Sequence, residues 1–533
     1  MALTDTRDTN HRPAAFRAEP LFRRTDESPA NQPQSRPLLA RRLTPHLTQS
    51  RLSEPSSNAR PHLAGHTETS TQRPDLVRGL GLWSATAIVI GDTIGTGVFL
   101  VTSDMARAVG SATLVFVAWI VGGFIVLCGA FCYAELGAAF PKAGGPYVYL
   151  SRGLGPLWGY LFGWMSSCLE RPVGMATLAA GLLRFAGFLF PIVTTPLFHG
   201  RLGSHDFTFT AAQPLAALVV IAVTAINYLS VRMGGAIQVL LTCLKMGTIL
   251  TIVIAGVFFG GRHLVESAPL AAPGGMLTWG TIGAVLTALV PAMWAYNGFN
   301  DLGDLGEEIL HPQNNIPIAI ILGLLTVGSL YLLANVVYFH TLPFAEIATS
   351  QHVASDVVQS FAGSRGASWL TVAMAISALG ALHVVVMTGA RIPYAMARDG
   401  VFFKFAKRIQ PSFHTPSGAL IFLGVVAAVL ALTGTFEELY SLFVFAVWIF
   451  FALTAIALLR LRRTEPDLPR PYRAWGYPWT PTIFLFAALA LTINLWMVQP
   501  VRSTLGLIVI AAGVPFFYHW RKSPDAIAAQ MRD

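Results

Sequence analysis

From Gly81 onward the sequence is a succession of apolar stretches, each about 20 residues long, which is the length an α-helix needs to cross a bilayer. Lipid offers no hydrogen-bond partners to exposed backbone groups, so stretches that span it must be helical. The predicted fold class is therefore an all-α polytopic membrane protein. About twelve spans are predicted, at residues 82–101, 113–137, 157–187, 212–230, 236–259, 279–304, 316–339, 368–390, 417–435, 439–461, 481–499 and 504–520.

The composition supports this class. Hydrophobic residues make up 54% of the 533 residues and charged residues only 12%, too few for an ordinary soluble surface. The formal net charge of +9 could indicate nucleic-acid binding, but the Lys and Arg residues concentrate in the N-terminal tail and in particular loops, as membrane topology requires. We expect membrane lipid, and no nucleic acid, around this chain.

The two ends differ in composition from the apolar region. Residues 1–78 are rich in Arg, Pro, Ser, Thr and Gln and contain no signal-peptide core, which predicts a disordered cytosolic tail. Binding of this tail to anionic lipid, or a start codon placed too far upstream, are the alternatives. Residues 79–522 are predicted to form a twelve-helix membrane domain and 523–533 a short cytosolic tail. Basic residues in alternate loops predict that both termini lie in the cytosol. We expect the protein in the cell membrane, and specifically in a bacterial inner membrane.

The first span is interrupted by polar and flexible residues. Residues 91–99, Gly-Asp-Thr-Ile-Gly-Thr-Gly-Val-Phe, contain three glycines, two threonines and a carboxylate. A helix broken at mid-depth leaves N–H and C=O groups free to hold a small zwitterion. The alternative is a small-residue seam, Gly91-x-x-x-Gly95, that lets two helices approach closely. The glycine spacing does not match a nucleotide-binding loop.

The sixth span contains a second interruption, with a Pro, a Gly and two Asn between residues 291 and 300. Spans 1 and 6 are five helices apart, so both breaks occupy corresponding positions in two five-helix halves, as in inverted-repeat transporters. The predicted repeats cover 82–259 and 279–461, followed by extra helices at 481–520. A kinked helix with a satisfied Asn is the alternative for span 6 alone.

Lys245 lies about halfway along span 5, where a charge is costly. It could snorkel to the cytosolic interface. The other hypothesis is that its ammonium takes the position of a coupling Na⁺, bridging free carbonyls of span 1 and a hydroxyl on span 8, for which Ser377 is the candidate. Asp92 is the expected counter-charge. Asp92 could also bind a proton, or cap the inner half-helix.

Other charges in or near the spans receive structural interpretations. Glu170 and Arg171 are expected to neutralise one another, with a water-filled path as the alternative. Glu135, Glu307 and Glu308 end spans and are assigned to interfacial solvent. No nucleophile elbow, H-E-x-x-H or Walker lysine occurs, so no enzyme, ATP-driven pump, metal site or cofactor is predicted.

Five segments, taken in order, carry a family resemblance. They are residues 91–99, 140–149, 227–245, 294–317 and 465–478. Together they resemble signature segments of the amino acid–polyamine–organocation (APC) superfamily, and look most like its bacterial L-type amino acid transporter branch. The resemblance implies a LeuT-like 5+5 inverted repeat plus two C-terminal helices, which works by alternating access.

The same resemblance implies a substrate site. Backbone N–H groups near Thr96, Gly97 and Val98 would bind the substrate carboxylate, and carbonyls near the breaks would bind its ammonium. Trp294 matches the aromatic gate and Lys245 the lysine associated with Na⁺ independence. The predicted substrate-binding residues are Thr93, Ile94, Gly95, Thr96, Gly97, Val98, Trp294, Ala295 and Asn297; the coupling and gating residues are Asp92, Lys245, Trp294 and Ser377.

The predicted function is secondary active transport or exchange of amino acids, with neutral L-amino acids favoured. The alternatives are a proton-coupled permease for cationic amino acids or polyamines, and a membrane amino acid sensor without flux. Asp92 and Asn297 stand where small or uncharged residues are more usual in the family, which leaves side-chain preference and proton coupling open. Residues 191–211 contain no Cys, so no disulfide-linked ancillary subunit is expected.

Overall fold

The structure is a computed structural model that describes residues 79–142, 144–202, 205–229, 235–261, 279–413 and 415–522. Both predicted tails lie outside the described residues. The α-helices are α1 Leu82–Thr93, α2 Gly97–Val109, α3 Ala112–Ala139, α4 Gly145–Leu154, α5 Pro156–Met165, α6 Arg171–Leu189, α7 Ala212–Leu229, α8 Gly235–Phe259, α9 Trp279–Ala295, α10 Pro312–Thr341, α11 Phe344–Thr349, α12 Val353–Gly389, α13 Arg391–Arg398, α14 Ser417–Thr433, α15 Phe436–Thr464, α16 Trp479–Val498 and α17 Pro500–Trp520.

The helices agree with the predicted spans. In the described part of the chain, nine helical segments are long and apolar enough to cross a membrane, and the bent pair of α1 and α2 brings the total to ten. Two shorter apolar helices, α9 and α14, fall on predicted spans 6 and 9. Each of the twelve predicted stretches therefore falls on helix, and the all-α polytopic class is confirmed.

Two local features depart from the expected pattern of simple spans. The loop after α6 forms a small antiparallel hairpin of β1 Pro196–Leu202 and β2 His205–Thr210. Between α5 and α6 the third span passes through a π-helical segment, Ser166–Glu170. The proline that follows, Pro172, has no N–H to donate to the preceding turn, which favours a local change of helical register at this point.

Packing brings the broken spans to the centre of the described helices. α1 packs against α8 and α10, α2 packs against α9, and the 3-10 helix Asp301–Leu305 also contacts α1. A buried aromatic group supports this arrangement: the Trp119 ring on α3 contacts the rings of Tyr296 and Tyr331, with centroids 5.5 and 5.4 Å away. The two interrupted segments are therefore held by helices from both halves of the sequence.

The environment of Glu135 differs from the one predicted from the sequence. The sequence assigned it to interfacial solvent, but its side chain is only 1% exposed. Arg462 donates to both of its oxygens, at 2.8 and 2.5 Å, and the Arg470 guanidinium lies 3.3 Å away. The backbone N–H of Ala474 donates a further bond of 2.7 Å. Glu135 thus fastens the end of α3 to α15 and to the loop before α16.

This anchor yields a stability prediction. We expect Glu135→Ala to lower the free energy of unfolding by about 3 kcal/mol, because it leaves two guanidinium groups without their buried counter-charge. Thermal unfolding of the purified protein in detergent, followed by tryptophan fluorescence, measures the effect. The matched control is Glu437→Ala, which removes a more exposed partner of Arg184 and should cost less than about 1 kcal/mol. Equal losses in both variants would contradict the anchoring role.

Candidate functional site

The first break separates α1 from α2. α1 ends at Thr93, α2 begins at Gly97, and the two axes differ by 43°. No side chain caps the N-terminus of α2, and the buried Thr96 Oγ1 has no hydrogen-bond partner among the described residues. The first N–H groups of a helix lack partners within the helix and lie at the positive end of its dipole. This terminus is therefore suited to an anionic group.

The second break follows α9. The helix ends at Ala295, a turn occupies residues 296–300, and a short 3-10 helix runs over Asp301–Leu305. Gly298 adopts a φ of +119°, a conformation that glycine tolerates far better than other residues. The side-chain Oδ1 of Asn297 is buried and has no hydrogen-bond partner among the described residues. It is free to accept a hydrogen bond from a ligand.

The two breaks lie directly against each other. A Cβ atom on Gly97 would lie 2.6 Å from the Cβ atom of Ala295. A Cβ atom on Gly298 would lie 2.9 Å from the backbone of Asp92 and Thr93. Only residues without a side chain permit this approach of one backbone to the other. The glycines in both motifs therefore serve the contact between spans 1 and 6 as well as the breaks themselves.

Tyr331 on α10 links the two breaks and was not singled out in the sequence. Its hydroxyl lies 3.0 Å from the carbonyl oxygen of Thr93 and 3.0 Å from that of Ala295, within donating distance of both. Tyr338, two turns later, donates to the carbonyl of Val98 at 3.3 Å. Two tyrosines seven residues apart in a largely apolar span were the sequence pattern that could have indicated this role. The Tyr331 hydroxyl thus offers a partner to carbonyls at the ends of α1 and α9, where the next helical turn is missing.

A cavity of about 560 Å³, including space open to solvent, lies beside the breaks. Part of its wall consists of residues that the sequence predicted for the site: Asp92, Thr93, Gly95, Gly97, Trp294 and Asn297. The other predicted substrate-binding residues, Ile94, Thr96, Val98 and Ala295, are almost fully buried and do not line the cavity. Any contact they make with a ligand would involve their backbone groups.

Trp294 forms one side of this cavity. Its ring packs edge-on against Phe443 of α15, with centroids 4.9 Å apart, and lies 6.5 Å from the ring of Phe436. Phe443 also lines the cavity. The aromatic residue predicted as a gate thus packs against aromatic residues of α15.

Lys245 is buried at the first break and does not snorkel. Its side chain is 1% exposed, and its Nζ donates to the carbonyl of Gly91 at 2.7 Å. The predicted bridge to Ser377 is wrong: the Ser377 hydroxyl is buried and has no hydrogen-bond partner among the described residues. Asp92, the predicted counter-charge of Lys245, attracts its ammonium electrostatically and also lies within side-chain hydrogen-bond reach of Asp301.

Arg171 and Glu170 line the cavity and attract one another electrostatically, as expected, but the hydrogen bonds of Arg171 go to other carboxylates. Arg171 donates to Asp301 at 2.7 Å and to Asp304 at 3.3 Å. Glu170 is 2% exposed, and its Oε2 has no hydrogen-bond partner among the described residues. Asp301, which follows the second break near the end of the predicted span 279–304, was not singled out in the sequence.

Comparisons with known proteins agree with this arrangement. A family model described as "Amino acid permease" matches residues 80–517. The b(0,+)-type amino acid transporter 1 of Mus musculus is 30% identical over 455 residues, covering 84% of this chain and 89% of the relative. The Large neutral amino acids transporter small subunit 2 of Homo sapiens is 30% identical over 463 residues, covering 85% of this chain and 83% of the relative.

A bacterial relative matches over nearly its whole length. The Serine/threonine exchanger SteT of Bacillus subtilis (strain 168) is 27% identical over 460 residues, covering 86% of this chain and 99% of the relative. The predicted superfamily and the prediction that the chain is not an enzyme are confirmed by these matches. The chain belongs to the amino acid permease family and is a multi-pass membrane transporter.

Proposed function

We propose that this permease carries neutral L-amino acids across the cell membrane by alternating access, without Na⁺. The observation that carries this proposal is one cavity bounded by two helix breaks, with an uncapped helix N-terminus on one side and unwound backbone on the other. An α-amino acid has an anionic end and a cationic end, and broken helices bind both with backbone groups. Such a site recognises the part that all amino acids share.

The two ends of the substrate have separate partners in this proposal. The carboxylate accepts hydrogen bonds from the N–H groups at the start of α2, around Gly97, where the helix dipole is favourable. The ammonium donates to carbonyl groups near Thr93 and Trp294 and to the free Oδ1 of Asn297. The Thr93 carbonyl already accepts from the Tyr331 hydroxyl and from the Gly95 N–H, so the ammonium takes the place of one of these two donors.

The side-chain pocket supports a neutral substrate. The cavity wall includes apolar or small residues from three helices, namely Gly174, Leu178, Ala381, Val385 and Phe443. These favour an aliphatic or small side chain through burial of apolar surface. A carrier of cationic amino acids is the second candidate, because Asp92, Glu170 and Asp301 also line the cavity. Arg171 forms ion pairs with Asp301 and Asp304, which neutralises part of the negative charge that would attract a cationic substrate.

Transport and exchange are supported by the relatives, whose names describe transporters and a serine/threonine exchanger. We propose a location in the cell membrane with both termini in the cytosol, as the distribution of basic loops predicts. The human relative is named a small subunit. In this chain residues 191–211 contain no Cys, so we propose function without a disulfide-linked ancillary subunit. A sensor without flux would bind amino acids but fail every uptake assay below.

Gly97→Val tests the contact between the breaks. Because a Cβ at this position would lie 2.6 Å from the Cβ of Ala295, the larger side chain must push spans 1 and 6 apart. We expect amino acid uptake into proteoliposomes to fall at least about tenfold, since a site displaced by ~1 Å loses most of its activity. Gly283→Val is the control, because a Cβ there meets nothing within 4 Å. Wild-type uptake by folded Gly97→Val would refute the site.

Trp294→Ala tests the aromatic side of the cavity. We expect it to weaken the apparent affinity for substrate about 30-fold, corresponding to ~2 kcal/mol for loss of a buried aromatic contact. Trp294→Phe keeps a ring against Phe443 and should retain part of the affinity. Concentration dependence of initial uptake rates provides the measurement. An unchanged apparent KM in Trp294→Ala would show that this ring does not contact substrate.

Substitution of Lys245 tests the proposal that transport does not require Na⁺. Its ammonium donates to the Gly91 carbonyl, where a bound cation could otherwise satisfy the C-terminal end of α1. We expect equal uptake in Na⁺ and in choline buffers for the wild type, and about tenfold lower uptake for Lys245→Met, which leaves a buried carbonyl without its partner. The matched control is Lys404→Met, in the 3-10 helix Lys404–Lys407. Uptake that requires Na⁺ in the wild type would contradict the proposal.

A further inference from the structure

Two carboxyl groups, one from each broken span, face each other at the cavity. Asp92 in the last turn of α1 lies within side-chain hydrogen-bond reach of Asp301, which begins the 3-10 helix after the second break. Both residues line the cavity. Two ionised carboxylates at this separation repel one another, whereas one shared proton turns the contact into a short charge-assisted hydrogen bond.

The partners of Asp301 decide which residue carries the proton. Its Oδ2 accepts from Arg171 at 2.7 Å, and its Oδ1 accepts from the side-chain amide of Asn300 at 2.6 Å. Both bonds favour the ionised form of Asp301. Asp92 lies at the C-terminal end of α1, where the helix dipole disfavours a negative charge. The proton therefore belongs on Asp92, which donates to Asp301.

The other ionisable groups around Asp92 leave negative charge in excess. α8 contributes the Lys245 ammonium, and α10 contributes the neutral phenol of Tyr331. The start of α6 contributes Arg171, which faces Asp92 across the cavity. α12 presents the apolar residues Ala381 and Val385.

Two more carboxyl groups lie beside this pair. Asp304 accepts the second bond from Arg171 at 3.3 Å, and Glu170 lines the same cavity. Glu170 is 2% exposed, and its Oε2 has no hydrogen-bond partner among the described residues. These four carboxyl groups share the buried cations Arg171 and Lys245, and Arg391, which is paired with Glu308, adds attraction at Asp304. A buried excess of negative charge of this kind requires a bound cation or proton.

We propose that Asp92 and Asp301 form a proton-binding site that couples amino acid transport to proton movement in the same direction. The inference rests on the proposed function. Because the two carboxyl groups belong to different broken spans, a shared proton favours the arrangement in which spans 1 and 6 are close. Without the proton, their repulsion favours separation. An amino acid bound between the same two breaks also favours closure, so proton and substrate promote closure together.

The test uses proteoliposomes containing the full chain, with the membrane potential clamped by K⁺ and valinomycin. Empty vesicles receive an inward proton gradient of one pH unit and a panel of labelled neutral amino acids. With one proton moved per amino acid, the wild type should accumulate substrate up to about tenfold. A pH-sensitive dye inside the vesicles should report acidification that depends on added substrate. Vesicles preloaded with unlabelled amino acid measure exchange in parallel.

Asp92→Asn and Asp301→Asn should each abolish accumulation and substrate-dependent acidification, with any remaining uptake stopping at equal concentrations inside and outside. The control is Asp104→Asn, which changes a buried aspartate on α2 that is bonded to Tyr440 and is not part of the cavity wall. This variant should keep accumulation driven by protons. Proton-driven accumulation in Asp92→Asn equal to the wild type would overturn the proposal.

The wild-type measurement separates this inference from the proposed function and does not depend on any variant folding. Exchange without a response to the proton gradient would overturn the proton site and leave amino acid transport standing. Accumulation driven by a Na⁺ gradient alone would also overturn it. The absence of both exchange and uptake for every amino acid in the panel would instead refute the proposed function.

Discussion

Two unwound segments can lie in the middle of a membrane protein only if their free backbone groups find partners within the protein or a polar cavity. Here the segments supply much of this environment to each other. Gly97 contacts Ala295, Gly298 contacts the end of α1, and Tyr331 lies within donating distance of a carbonyl from each break. The cavity lies beside this contact, so its shape depends on how closely spans 1 and 6 approach.

Buried charged side chains also need partners within the protein. Lys245 binds the exposed carbonyl end of α1, and Arg171 binds two carboxylates that follow the second break. Each cation thus stabilises a place where a helix stops. Asp92 lies within the electrostatic attraction of both cations, and its side chain also lies against Asp301. We infer a bound proton from that contact. With the proton the two carboxyl groups attract one another, and without it they repel, so protonation changes how closely the two spans approach.

Away from the cavity, the buried Glu135 shows how the surrounding helices are held. It lies at the end of an apolar span, so a position in solvent was the natural prediction, but it accepts bonds from Arg462 and from the backbone of Ala474. Arg462 lies 327 residues further along the chain. Nothing in the local pattern around Glu135 distinguishes a solvated span end from a buried anchor.

The sequence by itself determined the membrane class, the helical spans, both breaks and the presence of a lysine beside the first, because apolar length and helix-breaking residues act locally. Only the tertiary structure decided which polar groups meet. Arg171 donates a hydrogen bond to Asp301, 130 residues away, and Lys245 donates to the Gly91 carbonyl and not to Ser377. Such pairings depend on the register and rotation of packed helices, and these are set by contacts between distant segments that hydropathy and spacing do not encode.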